Sequence, residues 1–398
     1  MEVSTRVPPT PVENRRQQRV RRTSRRRRRL VVAGIVLTVL LIPGWSLGRR
    51  LAAHSSDPLS VRTVEWARDH DLGRVVGFVE QTWYAHHQPP KGGTPKGGIP
   101  AAPKSGAPAI VPVRVVRKPP VVKRPPNIVS LVAKPLPGEG VWQPSGRPVD
   151  GRPAVWITYL RPDAVHTSLL VGVARLDMTH LAASLHAGTD VPGGSAWMHG
   201  PRIAVGSYPR VVAAFNSAFR LDSSRGGYYA EGRTVKALAP GRASLVTYAD
   251  GRVDIGVWGR DDTMSPAVTA VRQNLDLIVD HGALVPGLAN ANNGLWGGTV
   301  GNQVYVWRSG VGVDAHGNLI YVGGPGLNVE TLAELLRRAG SVRAMELDIN
   351  TWWISFTVYT PGASGGLQPA NLLPSMVRSP SRYLTTGTRD FFEIDIRR

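Results

Sequence analysis

Residues 344–350, Ala-Met-Glu-Leu-Asp-Ile-Asn, alternate apolar and polar side chains without a break. An extended chain places Glu346, Asp348 and Asn350 on one face and Met345, Leu347 and Ile349 on the other. Two acids spaced this way stand about 6–7 Å apart at their Cβ atoms. With the apolar face packed into a core, the carboxylates would be fixed toward a cleft, where such groups stabilise developing positive charge or move protons. The same pattern also fits the solvated outer face of an ordinary half-buried strand.

The elements just upstream bear on that choice. Val304 to Val313 reads as a strand carrying Trp307 and Arg308, and Asp314-Ala-His-Gly317 turns the chain into a second strand, Asn318 to Val322. Asn328 caps a predicted helix over Val329 to Ala339, whose Leu332, Leu335, Leu336 and Ala339 recur at helical spacing, and Gly340 ends it. The order hairpin, helix, strand lets one crossover bring the cation Arg308 and the acids Glu346 and Asp348 to the same sheet edge.

Polar groups gather at other strand ends too. Asn216 closes an apolar run and opens a Gly-rich loop, Ser223 to Gly232, so it could bond a sugar hydroxyl or a phosphate oxygen, or hold its own turn. Arg272-Gln-Asn274 precedes the strand Leu275 to Val279, which ends at Asp280. Arg272, Asp280 and Trp307 are therefore candidate substrate contacts. The histidines show no metal-ligand spacing, no phosphate-loop or nucleophile-elbow motif is present, and neither metal nor cofactor is expected. Trp258, Trp296, Trp307, Trp352 and Trp353 crowd one half of the chain, which suits stacking on sugar rings or core packing.

The net charge of +20 over 398 residues would ordinarily suggest nucleic acid. It is concentrated elsewhere than on a domain: eleven Arg lie in residues 1–29 and eight Lys and Arg in residues 88–127, leaving the remainder near neutral. The pattern argues against a nucleic-acid partner. The chain has no cysteine, which excludes thiol catalysis and cysteine-ligated zinc.

Five segments follow from composition. Residues 1–29 form a basic tail, and residues 30–47 an apolar stretch read as an uncleaved transmembrane anchor. The Arg block before it sets a cytoplasmic N-terminus and an extracytoplasmic C-terminal domain, giving a single-pass membrane protein. Residues 48–87 are expected to form a membrane-proximal helical segment with one or two short amphipathic helices. Residues 88–127, with eleven Pro and five Gly, read as a disordered tether spanning the cell wall. Residues 128–398 form the globular part, with strands predicted over Val155 to Tyr159, Ser168 to Ala174 and Arg210 to Ala214, and a hairpin over Ala243 to Trp258 around Asp250-Gly251. The expected class is α+β, with mixed, largely antiparallel sheets flanked by a few helices.

Taken in order, these pieces resemble the phosphodiester glycosidase family. Its Asn-Gly-Gly-(Phe/Tyr)-Phe strand end is matched by Asn216-Ser-Ala-Phe-Arg220, and its Arg-(Thr/Ser)-x-(Ile/Val)-Gly motif by Arg308-Ser-Gly-Val-Gly312. A Thr-Leu-x-Glu-Leu helix is matched by Thr331-Leu-Ala-Glu-Leu335, and a Leu-Asp-Gly-Gly strand end by Leu347-Asp-Ile-Asn350. Both glycine pairs are replaced, which implies a reshaped pocket.

The resemblance implies cleavage of a sugar-1-phosphodiester at the anomeric carbon, on a phosphorylated carbohydrate or cell-wall glycan. Such a site needs a cation for the departing phosphate and a carboxylate for the oxocarbenium-like centre or an attacking water. It assigns Arg308 to the phosphate, Asp348 to the carboxylate, Glu346 to a partner acid or base, and Asn216 and Asn350 to hydroxyl groups. The rival expectation is a module that binds a wall phosphosugar without cutting it.

Overall fold

The computed structural model describes residues 41, 43–53, 57–103, 124–289, 295–296, 305–362 and 365–397. They divide into two compact units, one containing the described residues up to 53 together with Pro58–Leu72, the other Asp57 and everything from Gly73 onward. In the first unit a helix over residues 43–52 and the helix Leu59–Asp69 are joined by Trp66, whose indole donates to Ser46 Oγ at 3.1 Å. The helix Gly73–His86 opens the second unit. Two helices thus lie within the expected membrane-proximal segment.

The reading of a single-pass membrane protein is corrected here. Among the described residues no helix is long and apolar enough to cross a membrane. Residues 30–40 and 42 of the anticipated span lie outside the described residues, as does the basic tail, and the helix over residues 43–52 carries Arg49 and Arg50 in its last turn.

Among the described residues the large unit has three sheets, all antiparallel. The main one has eight strands, in the order Gln143–Val149, Arg152–Leu160, Val171–Leu176, Leu319–Leu327, Val306–Asp314, Ser341–Ile349, Leu277–Asp280, Ala283–Leu284. A five-stranded sheet runs Arg233–Lys236, Tyr228–Ala230, Val268–Gln273, Ala243–Tyr248, Val253–Val257, the last two being the hairpin expected around Asp250-Gly251. A second runs Leu367–Asn371, Phe356–Pro361, Val211–Asn216, Phe391–Ile396, Leu181–His186. The α+β class holds.

Strand alternation sorts the main sheet's two faces. Ile320, Val322 and Ala344 pack with Val329, Leu332, Ala333, Leu335 and Leu336 of the helix Val329–Arg338. Leu319, Tyr321, Met345 and Leu347 face the other way, into a core shared with Phe215, Phe356 and Phe392 of one smaller sheet and Leu245 and Ile255 of the other. The helix lies close on its face because the strand beneath it is bare: a Cβ on Gly310 would come within 2.9 Å of the Leu336 side chain. Asn328 caps this helix as expected, its side chain accepting from Thr331 N while Thr331 Oγ1 accepts from Asn328 N. The helix ends at Gly340, whose φ of +108° disfavours other residues.

Part of the anticipated tether is docked. Gly92 N donates to Val165 O, Thr167 Oγ1 to Gly93 O, Ala102 N to Gln143 Oε1 and Ser145 Oγ to Pro103 O. The compositional reading weighed apolar burial alone, whereas these residues attach mainly through backbone hydrogen bonds, with Ile99 and Ala102 packing against the core. Residues 104–123 of the same stretch lie outside the described residues.

Candidate active site

The crossover delivers Asp348 to the end of the strand Ser341–Ile349 and Arg308 near the start of its neighbour Val306–Asp314. They do not pair with each other. Arg308 donates to Glu346 Oε1 at 2.5 Å and to Leu327 O at 3.1 Å, and both side chains are sealed from solvent. Burial, working against the attraction of Arg308 and with the repulsion of Asp348, pushes the Glu346 carboxyl up to about 7. The pair lies under the strand ends, on the sheet's helix-facing side, and Glu346 Oε2 has no hydrogen-bond partner.

Asp348 instead meets Arg389, which donates to its Oδ2 at 2.6 Å and to Ala218 O at 3.1 Å. Arg389 leads into the strand Phe391–Ile396 of a different sheet. It was absent from the sequence reading, although the charged Thr388-Arg-Asp390 run just before an apolar strand was a visible signal of the same kind as Asn216. Asp348 is only 7 % exposed, so its carboxylate faces Arg389 more than water.

Three successive carbonyls after Asn216 are clamped. Asp348 N donates to Ser217 O, Arg389 to Ala218 O and Arg272 to Phe219 O. Arg272 also donates to Asp390 Oδ2 at 2.7 Å, with both side chains buried. Arg272, expected as a substrate contact, is thus committed to Asp390 and Phe219 O, and its side chain is 1 % exposed.

Asn216 is likewise committed inward. Its amide donates to Ser217 O and Ser309 Oγ, and its carbonyl oxygen accepts from Tyr321 OH and Ser355 N. All four bonding positions of the side chain are filled by protein, so a hydroxyl could be held only by displacing one of them. Ser309 passes the linkage on, donating to Asp348 O at 2.8 Å. The expectation of Asn216 as a hydroxyl anchor is replaced by that of a keystone joining three strand ends.

Asn350 adopts φ +91° at the position where the family motif carries glycine. Its side-chain oxygen accepts from Trp352 N, and its own N–H donates to Trp307 O. Asparagine is among the few residues that tolerate this conformation, so the replacement keeps the turn. Trp307 is half-buried and packs at the core margin. Asp280 is not brought to the site: Val279 pairs with Ala344 near the opposite end of the strand from Asp348, and Asp280 is bound by Arg260 at 2.8 Å. A cavity of about 400 Å³ lined by Arg252, Asp254, Arg343 and Arg397 also lies at that far end.

Beside the Asp348–Arg389 pair stands Trp353, buried and surrounded by guanidinium groups. Arg389, Arg382 and Arg378 lie 4.9, 5.6 and 6.0 Å from its ring centre. Two buried atoms next to Asp348, Ser217 Oγ and Arg389 Nε, have no hydrogen-bond partner, which marks the place where a bound polar group would add most. Among the described residues no group of three acidic, histidine or cysteine side chains is placed to hold a metal ion.

A carboxylate, an adjoining arginine and an aromatic ring come together at these convergent strand ends. Residues 209–348 match the phosphodiester glycosidase family, which bears out the resemblance seen in the sequence motifs. No curated protein matches the chain. Among solved structures, it is similar to the catalytic domain of zebrafish N-acetylglucosamine-1-phosphodiester alpha-N-acetylglucosaminidase auto-inhibited by its pro-peptide, at 17 % identity and a TM-score of 0.40, covering 65 % of this chain and 87 % of that one. A hypothetical protein from Synechocystis matches at 13 % identity and a TM-score of 0.37, covering 64 % of each chain. The family match supports phosphodiester glycosidase-type activity in general.

Proposed function

We propose that the protein hydrolyses a sugar-1-phosphodiester on a phosphorylated carbohydrate, with Asp348 as the carboxylate that faces the anomeric centre. A phosphate monoester is a good leaving group, so the chief demands are charge stabilisation of the oxocarbenium-like transition state and a cation for the departing oxygen. Arg389 supplies that cation in place of Arg308, since it alone of the two contacts Asp348. Arg308 and Glu346 form a buried hydrogen-bonded pair that links adjacent strands from beneath. Asn216 positions Asp348 through Ser309.

The observation that carries this reading is the Asp348–Arg389 contact at a strand end within a family-matched segment. It is tested with chromogenic sugar-1-phosphodiesters: wild type should release product and Asp348→Asn, folded, should not. A second reading, a phosphosugar-binding module without turnover, is favoured by the low exposure of Asp348 and by Ser217-Ala218 standing where the family has glycines. Under that reading the same ligands bind and nothing is released.

A further inference from the structure

The cavity of about 400 Å³ at the far end of the main sheet takes no part in the proposed reaction. Turns and strand ends from separate sheets meet around it. The hairpin at Asp250-Gly251 supplies Arg252 and Asp254, the strand Ser341–Ile349 supplies Arg343 near its start, and the chain beyond the strand Phe391–Ile396 supplies Arg397. Arg343 lies five residues before Asp348, which sets the two about 17 Å apart along an extended chain.

The carboxylates here are already matched. Arg343 donates to Asp254 Oδ1 at 2.5 Å, Arg252 to Asp250 Oδ2 at 2.8 Å and Arg175 to Asp314 Oδ2 at 2.8 Å. Asp314 also accepts from His316 N and Asn318 N, closing its own turn. Arg397 stands apart: it donates to the carbonyls of Met178 and Leu181, at 2.8 and 3.3 Å, and among the described residues no carboxylate forms an ion pair with it. Its place is prepared, because Gly251 adopts φ +83° and a Cβ there would come within 2.8 Å of Arg397 Nε. Arg343 and Arg397 each spend Nε and Nη2, and Arg252 spends Nε, so among the described residues no hydrogen bond engages the Nη1 of any of the three.

We propose that this cavity is a second binding site, remote from Asp348, for the phosphate group of a phosphorylated saccharide. A surplus guanidinium and three unspent Nη1 groups offer a tetrahedral oxyanion both charge and several N–H donors. Thr179 and His316, on the same wall, offer partners to sugar hydroxyl groups. The volume falls within the range of small-molecule sites. That the ligand is a saccharide rests on the glycosidase reading; that the cavity takes an oxyanion does not.

The full chain is titrated calorimetrically with glucose 6-phosphate, inorganic phosphate and glucose, at constant ionic strength set with sodium chloride. Wild type should bind glucose 6-phosphate, and Arg397→Gln should weaken that binding at least about tenfold, the effect of losing a charge-assisted contact. Arg252→Gln alters a side chain that is 62 % exposed, keeps the fold, and should weaken binding in the same direction, so it decides if Arg397→Gln does not fold. Absence of phosphate binding in wild type, or binding that survives both substitutions, overturns the site. Glucose bound as tightly as its phosphate overturns oxyanion recognition. Tighter binding of glucose 6-phosphate than of inorganic phosphate supports the saccharide, whereas equal or weaker binding overturns it in favour of the free anion. Turnover plays no part in these titrations. A wild type that cleaves nothing but binds here sinks the glycosidase reading alone, and a wild type that cleaves but does not bind here sinks only this cavity.

Discussion

Asp348 is held by Arg389, 41 residues further along the chain and leading into a strand of another sheet, while the arginine on its own neighbouring strand, Arg308, is turned to Glu346. The sheets, and not the local motif, choose the carboxylate's partner. Arg389 also grips Ala218 O, so the residue that holds Asp348 also locks the loop opened by Asn216.

Asp348→Asn should remain folded and lose at least about a hundredfold in turnover of a sugar-1-phosphodiester. Circular dichroism and steady-state kinetics on the same preparation check this. Wild-type turnover in the variant would remove Asp348 from the chemistry.

Arg389→Met leaves Asp348 buried without its cation, a change expected to cost about 3–5 kcal/mol in urea unfolding. Arg389→Lys keeps the charge but cannot serve both Asp348 and Ala218 O in a fixed fork, so its loss should be intermediate. Equal stability of all three proteins would show the contact to be incidental.

Glu346 supplies a pH test. Its folded value of about 7 lies above the ordinary 4.5. Its contribution is therefore fully present below about 4.5 and is lost as pH rises through about 7. Glu346→Gln, which mimics the protonated acid, should match wild type at about pH 4 and exceed it at pH 8 by up to about 3 kcal/mol. Urea unfolding at the two pH values decides, and a variant less stable than wild type at pH 8 would show the ion pair with Arg308 to outweigh burial.

Asn216→Ala strips partners from Ser309, Tyr321 and the Ser355 N–H at once. Buried groups left unsatisfied in this way cost about 1–3 kcal/mol each, so unfolding free energy should drop by at least about 3 kcal/mol. Asn216→Asp, which keeps the acceptor and loses the donor, should fall between. A fully stable alanine variant with impaired substrate binding would return Asn216 to the role of hydroxyl anchor.

Asn350→Gly should be tolerated within about 1 kcal/mol, because φ +91° suits glycine. Asn350→Val should cost at least about 1–2 kcal/mol more, since a β-branched residue strains there. Equal stability of the two variants would show that the turn is not what selects the residue.

Much of this architecture was legible in local pattern. Alternation over residues 344–350 marked the strand Ser341–Ile349, Leu332, Leu335 and Leu336 marked the helix face, Asn328 and Gly340 its ends, and Asp250-Gly251 its hairpin. These follow from periods of two and 3.6 residues and from the backbone demands of caps and turns, all of which act between near neighbours. Apolarity over residues 30–47 was a weaker guide, because hydropathy states what a segment could enter, and among the described residues no helix is long and apolar enough to cross a membrane.

The amino-acid sequence by itself determined the strands, the crossover helix and the motifs that match a family. Only the tertiary structure decided that Arg389 faces Asp348, that Glu346 lies sealed with Arg308, that Asn216 has no bond to spare and that Arg252, Arg343 and Arg397 line one cavity. The reason is physical. Which side chains lie on one face is set by the geometry of a single strand, whereas which charges neutralise one another is set by where separate sheets bring their ends together, and that depends on the packing of the whole core.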